Sequence, residues 1–352
     1  MIIIIGAGLS GLLTAYRLKQ EGLPFKILEA RNRVGGRINT VYGSDNTSVE
    51  MGATWFGSQH TNLIALLNEL GINYFEQFME GTVFFQPFST SPAESIQIPS
   101  QPPSYRISGG TSNLIDILYK KLDKQDILLN QSVKEIRFNK DSVQVTADDV
   151  FEGSKVILSI PPKLWATKIL FEPNLPLDLM NIAFHTHIWM EDSIKIALTF
   201  NQAFWQQENL SGTLFSNTGP ITEFYDHCNQ DRSTYALCGF MNSAYKNLSD
   251  TERRSRVMDQ LRNVFGEKAE AFNEYVECIW SKEENTFIGS DTPLFPHQNN
   301  GNSIFNNTYA NGKLLISSAE SASEFPGYMD GAVSIANGIA KKIIKANIGS
   351  YK

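Results

Sequence analysis

The chain has 352 residues, with 30 Lys and Arg against 37 Asp and Glu, five His and a formal charge of −7. That length suits about two domains, each with its own core. A hydrophobic share of 42% beside a charged share of 19% excludes intrinsic disorder, collagen-like repeats and a disulfide scaffold. An acidic chain without a dense Lys/Arg block is not expected to bind nucleic acid, because phosphate neutralisation needs clustered positive charge.

Four β-branched residues, Ile2 to Ile5, run into Gly6-Ala7-Gly8-Leu9-Ser10-Gly11, followed by Leu12, Leu13, Ala15, Tyr16 and Leu18 at helical spacing. This pattern predicts a strand, a tight turn and a helix. In such a unit the first glycine makes the turn, the second lets backbone approach a pyrophosphate, and the third packs helix on strand. The phosphates sit at the positive helix end, beside Ser10. No basic segment precedes the apolar start and no cleavage-like site follows it, so it reads as a strand and not as a signal peptide.

A second predicted strand over 25–28 ends at Glu29, with Ala30 and Arg31 beside it. A carboxylate roughly 20 residues past the glycines can accept hydrogen bonds from both hydroxyls of an adenosine ribose. Arg33-Val34-Gly35-Gly36-Arg37 follows directly. Its two glycines allow another close backbone approach, and Arg37 can pair with phosphate.

Further along, residues 83–104 contain Pro87, Pro92, Pro99, Pro102 and Pro103 with several Ser, which reads as extended loop. Strands are expected at Ile194–Phe200, 221–225 and 235–240, then a helix over 251–265 capped by Ser249 or Asp250. His185 and His187 would share one strand face, but no Asp, Glu or Cys cluster stands near them, so no metal site is expected. Cys228, Cys238 and Cys278 form no Cys-x-x-Cys pair, which points to a reducing compartment. No window approaches the ~20 apolar residues of a membrane span. A soluble, cytoplasmic protein without a membrane partner is expected.

The glycine-rich start, the Arg33–Arg37 segment and several later blocks together resemble the flavin-containing amine oxidase family, which includes monoamine, polyamine and L-amino-acid oxidases. The later blocks are Glu50-Met51-Gly52-Ala53-Thr54-Trp55-Phe56-Gly57, Tyr105-Arg106-Ile107-Ser108-Gly109-Gly110-Thr111, 129–133, 155–162 and Glu320 through Val333. The resemblance implies an α/β fold: an FAD-binding Rossmann-like domain of the glutathione-reductase type, with a substrate domain of mixed sheet plus helix. The FAD-binding domain would comprise 1–57, 105–170 and 280–352, and the substrate domain 58–104 and 171–279. Only a short stretch separates Trp55 from Arg106, so the longer helical part that roofs the cavity in the family is expected to be missing.

By the same resemblance Gly52, Ala53, Thr54 and Trp55 pass beside the flavin ring, and 129–133 forms a strand whose Val133 backbone meets the adenine. Met329 N–H would face the flavin O2 side from a helix N-terminus, where unpaired N–H groups favour negative charge. Ala332 would lie beside it, Glu320 near the ribityl chain or pyrophosphate, and Tyr328 on the substrate side. Lys195 by pattern alone reads as a strand-edge charge. The resemblance makes it the active-site lysine that holds a water beside flavin N5, where an ammonium favours electron transfer to oxygen. Trp280 opens a stretch expected to line the flavin and the substrate cavity, completing a catalytic set of Lys195, Tyr328 and Trp280.

Two departures from the family pattern carry expectations of their own. Ser290 stands where monoamine oxidases attach flavin through a cysteine, so FAD should be non-covalent. Asp291 stands where one tyrosine of an aromatic pair is expected, leaving Tyr328 alone. A carboxylate there would favour the unreactive ammonium form of a small amine. It could instead hold the distal ammonium of a polyamine, or face solvent.

The resemblance thus implies an FAD-dependent oxidoreductase that takes hydride from the α-carbon of an amine, polyamine or amino acid, with oxygen as acceptor. A carotenoid-type desaturase or isomerase and a non-catalytic flavin-binding protein are the alternatives. Lys195 and the Gly327–Gly331 string favour the first reading. The sequence does not indicate an oligomeric state.

Overall fold

The computed structural model describes residues 1–97, 101–289 and 294–349. Its organising element is a five-stranded sheet in the order Ile127–Leu128, Phe25–Leu28, Ile2–Ile5, Lys155–Leu158, Leu314–Ile316, with every neighbouring pair parallel. Both faces are covered, which explains the unbroken apolar run at the start of the chain. Ile2 and Ile4 enter one core with the helices Leu9–Gln20, Ser112–Lys121 and Met329–Gly349. Ile3 and Ile5 enter another, against a four-stranded sheet that contributes Ile136, Val143, Val145 and Phe171.

A seven-stranded sheet runs Phe272–Ile279, Ile194–Phe200, Tyr235–Met241, Ile221–Asp226, Leu210–Ser216, Thr82–Gln86, Glu94–Ile96. Ile194, Ile196 and Leu198 pack with Val257, Leu261 and Phe265 of the helix Asp250–Phe265. Strand alternation therefore sends Lys195 and Ala197 to the opposite face, where Ala197 and Cys238 meet Val49 and Met51. The helix starts with a capping box: Ser249 Oγ accepts from Glu252 N at 3.3 Å, and Glu252 Oε2 accepts from Ser249 N at 3.0 Å.

Three local expectations are corrected. Within 83–104, the strands Thr82–Gln86 and Glu94–Ile96 form an antiparallel hairpin on the edge of the large sheet. Val83, Phe84 and Phe85 favour a pleated surface, and Pro87 and Pro92 fall in the connection between the strands. His185 is not in a strand; it ends the helix Leu177–Phe184, its Nδ1 2.8 Å from Asn181 O. Residues 129–133 leave the sheet after Ile127–Leu128, with Asn130 at φ 59. Among the described residues no helix is long and apolar enough to cross a membrane.

Candidate active site

A cavity of about 360 Å³ opens at the carboxyl ends of the parallel strands, lined there by Ile5, Gly6, Leu28, Glu29, Ser159 and Ile160. Open α/β sheets present their ligand crevice at this end. The two glycine-rich segments form its floor. Gly35 N donates to Ala7 O at 2.9 Å, and Gly8 and Gly35 pair as an isolated bridge. A side chain at Gly11 would meet Gly6 O at 2.0 Å, whereas the space in front of Gly8 is open. Helix and strand thus touch through Gly11, and Gly8 leaves backbone exposed to whatever fills the groove.

Glu29 is only 5% exposed. Its Oε2 accepts from Ala7 N at 2.8 Å and its Oε1 from Arg31 N at 2.9 Å. Each carboxylate oxygen has two lone-pair directions, so one acceptor position on each remains for ribose hydroxyls. Farther along, Gln131 Oε1 and Ser159 Oγ are buried, belong to residues lining this cavity and have no hydrogen-bond partner among the described residues. A glycine floor, a doubly anchored carboxylate and two orphaned polar atoms fit a dinucleotide.

Lys195 lies in the wall of the same cavity and is fully buried. Nζ donates to Thr54 Oγ1 at 2.9 Å and sits 4.3 Å and 4.6 Å from the ring centroids of Trp55 and Phe240. Desolvation pushes its pKa below the usual lysine range, against the opposing pull of Cys238, Glu50 and Glu223. The edge-charge reading fails because this strand is flanked on both sides, by Tyr235–Met241 and Phe272–Ile279.

Gly6, Gly8, Ser10, Ala30, Arg31, Gly35, Gly36, Arg37, Gly52, Ala53, Thr54, Trp55, Val133, Tyr328, Met329 and Ala332 also line the cavity. Three expected residues stand behind it. Gly11 acts through the helix–strand contact just described. Glu320 is fully buried, and its carboxylate is gripped by Arg37 Nη1 and, at 3.1 Å, Nη2. Trp280 is fully buried with Nε1 donating to Met51 O at 2.7 Å, so it supports the Glu50–Gly57 segment from behind the cavity lining. Ser290 and Asp291 lie outside the described residues.

Tyr328 is not alone. Its ring is 5.2 Å from Trp189, inclined by 30°, and Trp189 in turn stacks on His297 at 4.8 Å. Sequence reasoning missed Trp189 because it sits in a stretch without periodicity; a large aromatic shortly before Lys195 was the only signal. Phe240 was missed similarly, although it pairs with Lys195 across the sheet.

The profile of the family described as flavin containing amine oxidoreductase matches residues 9–104 and 94–344. The chain belongs to that family. As a member it is an FAD-dependent oxidoreductase acting on amines. It is 22% identical to a probable flavin-containing monoamine oxidase A of Dictyostelium discoideum, over 97% of both chains. That alignment has 449 positions, more than this chain has residues, so it runs with long gaps on this side. A putrescine oxidase of Kocuria rosea is 23% identical over 81% of this chain and 83% of its own. The fold is shared with a solved wild-type putrescine oxidase bound to putrescine, at a TM-score of 0.84, 24% identity and 98% coverage of both chains. A cyclohexylamine oxidase of Brevibacterium oxydans gives a TM-score of 0.85 at 17% identity, again over 98% of each chain.

For this family member the Glu29 geometry yields a direct expectation. Charge-assisted hydrogen bonds to a ligand are worth about 1.5–3 kcal/mol. Glu29→Ala should weaken FAD binding roughly ten- to hundred-fold, read as fluorescence quenching when FAD is titrated into the flavin-free protein. An unchanged Kd would remove Glu29 from the ribose contact.

Proposed function

We propose that this protein oxidises an aliphatic amine carrying a second positive charge, with oxygen as electron acceptor, giving an imine that hydrolyses to the aldehyde, and hydrogen peroxide. Bound FAD supplies the two-electron acceptor. The observation that carries the reading is Lys195, a fully buried ammonium in the cavity wall between two aromatic rings. Fixed positive charge in a dry site favours negative charge developing on reduced oxygen. Trp189 and Tyr328 supply aromatic wall elsewhere in the same cavity.

The second charge is argued from the surface beyond Trp55. That ring contacts Tyr225 at 5.2 Å, and Tyr225 contacts Phe215 at 5.8 Å. Tyr225 Oη donates to the exposed carboxylate of Glu223 at 2.9 Å. An aromatic row ending in an oriented carboxylate favours a cationic tail, and the putrescine bound by the relative of shared fold is a diamine. Anaerobic mixing of the FAD-loaded protein with amines tests this: diamines should bleach the flavin faster than monoamines of equal length. Equal rates would remove the second charge from the reading, and no bleaching by any amine would sink it whole.

FAD is held here without a covalent bond to cysteine. In support, Cys228, Cys238 and Cys278 are all described and unpaired, and none lines the main cavity. Acid precipitation should therefore leave yellow FAD in the supernatant; flavin in the pellet would contradict this. The unpaired thiols also support a cytoplasmic setting. Residues 1–57, 105–170 and 280–352 act as the cofactor-binding unit and 58–104 with 171–279 as the substrate unit. In support, all five parallel strands fall in the former and all seven strands of the large sheet in the latter.

A further inference from the structure

Thr54 belongs to the wall of two cavities. The second is a small polar pocket of about 20 Å³, bounded by Glu50, Thr54, Arg106, Thr111, His227 and Cys228. Arg106 and His227 are each 5% exposed, and Arg106 Nε and His227 Nδ1 have no hydrogen-bond partner among the described residues. Arg106 Nη2 donates to Cys228 O, and the guanidinium lies 4.7 Å from the Phe75 ring centroid. Glu50, also buried, accepts from Thr111 N at 2.6 Å and from Thr40 Oγ1 at 3.0 Å.

Buried polar atoms left unpaired are costly and call for a partner, and a space above roughly 10–15 Å³ with polar partners holds a water. This pocket meets both conditions and is too small for phosphate, which the Glu50 carboxylate would also repel. Burial holds the His227 imidazole well below its usual range, with Arg106 and Lys195 adding to the effect. One ring nitrogen of the neutral imidazole is therefore an acceptor. The pocket reaches the surface at Gly109 and Gln230, both exposed.

We propose that this pocket is a proton conduit: water held by Arg106 Nε and His227 Nδ1 links the Thr54 hydroxyl, and through it Lys195 Nζ, to Glu50 and to solvent. The proposal rests on the reading of Lys195 as the charged group at the reacting centre. Lys195 has no solvent-exposed surface of its own, and the pocket gives it a proton route separate from the main cavity, which the bound cofactor fills. In the outward step Nζ gives a proton to Thr54 Oγ1 as the hydroxyl's own proton, resting on Gly52 O at 3.0 Å, turns to the pocket water. The water passes a proton to the Glu50 carboxylate or onward to solvent. One N–H bond breaks at Nζ, the Thr54 hydroxyl and the water each gain one O–H bond and give one up, and one O–H bond forms on Glu50 or on solvent water; nothing is oxidised or reduced. The inward step is the reverse.

The groups facing Lys195 suit this traffic. Glu50 comes from Ser48–Glu50, Glu223 from Ile221–Asp226, Cys238 from Tyr235–Met241 and Cys278 from Phe272–Ile279. Arg106 and Asp226 complete the charged surroundings of the pocket. Burial raises Glu50 and lowers Lys195, which brings donor and acceptor closer in proton affinity.

A high-resolution crystal structure should show an ordered water within hydrogen-bond distance of both Arg106 Nε and His227 Nδ1; a dry pocket overturns the proposal. In the FAD-loaded protein, stopped flow with a pH-indicator dye should show Thr54→Val and His227→Phe slowing proton exchange during turnover on the order of 10²-fold. Thr54→Ser should restore it. Wild-type proton kinetics in both variants, beside an impaired Lys195→Met, would overturn the conduit alone. Wild-type behaviour of Lys195→Met would overturn the underlying reading of Lys195 and the conduit with it.

Discussion

Replacing Lys195 by Met is expected to slow reoxidation of the reduced protein by oxygen about 10²–10³-fold, while FAD stays bound and its reduction by amine changes far less. Met has a similar length and fills the cleft between Trp55 and Phe240, so packing is kept and the charge is lost. The lost contact corresponds to about 3–4 kcal/mol of electrostatic stabilisation in a preorganised, water-poor site. A solvated edge lysine would cost almost nothing on substitution, but Lys195 is fully buried and bonded to Thr54. Mixing photoreduced protein with oxygen in stopped flow measures the difference directly. Equal rates in wild type and Lys195→Met would retire the lysine from oxygen chemistry.

Arg37→Ala is expected to destabilise the fold by about 3–5 kcal/mol, because it strands the fully buried Glu320 carboxylate without its partner. Arg37 also donates to Trp189 O at 3.3 Å, so the substitution frees the segment that carries Trp189. The double change Arg37→Ala with Glu320→Gln should recover part of the loss, since it removes the uncompensated charge. Urea unfolding of the single and double variants measures both values. A loss below about 1 kcal/mol for Arg37→Ala would place Glu320 in a surface-like setting, contrary to its burial.

Legibility in the sequence followed how local each constraint was. The strand, glycine turn and helix at the start are set by neighbours a few residues apart, and the structure has them where the pattern puts them. The same holds for the capping box at Ser249 and Glu252. Lys195 was legible through the resemblance, whereas its burial depends on both flanking strands and could not be read from its own alternation. Trp189 and the Trp280–Met51 contact join segments far apart in the chain, and no local pattern encodes them. The prolines near 87–103 suggested loop because proline signals are strong, yet Thr82–Gln86 lies just before the first of them and was free to pair.

The parallel sheet imposes an order on the life of the molecule. Its central strand is Ile2–Ile5, yet its last strand is Leu314–Ile316. The wall carrying Tyr328 and Met329 opens the following helix. Asp330 in that first turn accepts from Leu63 N at 2.8 Å and from Asn62 Nδ2 at 3.0 Å, so the helix Thr61–Leu70 gains its partner only when the C-terminal segment docks. Contacts of such sequence separation form late and slowly. A chain emerging from the ribosome therefore exposes its glycine floor long before the segment that carries Tyr328 and Met329 is made, and the cradle is complete only after that segment has docked.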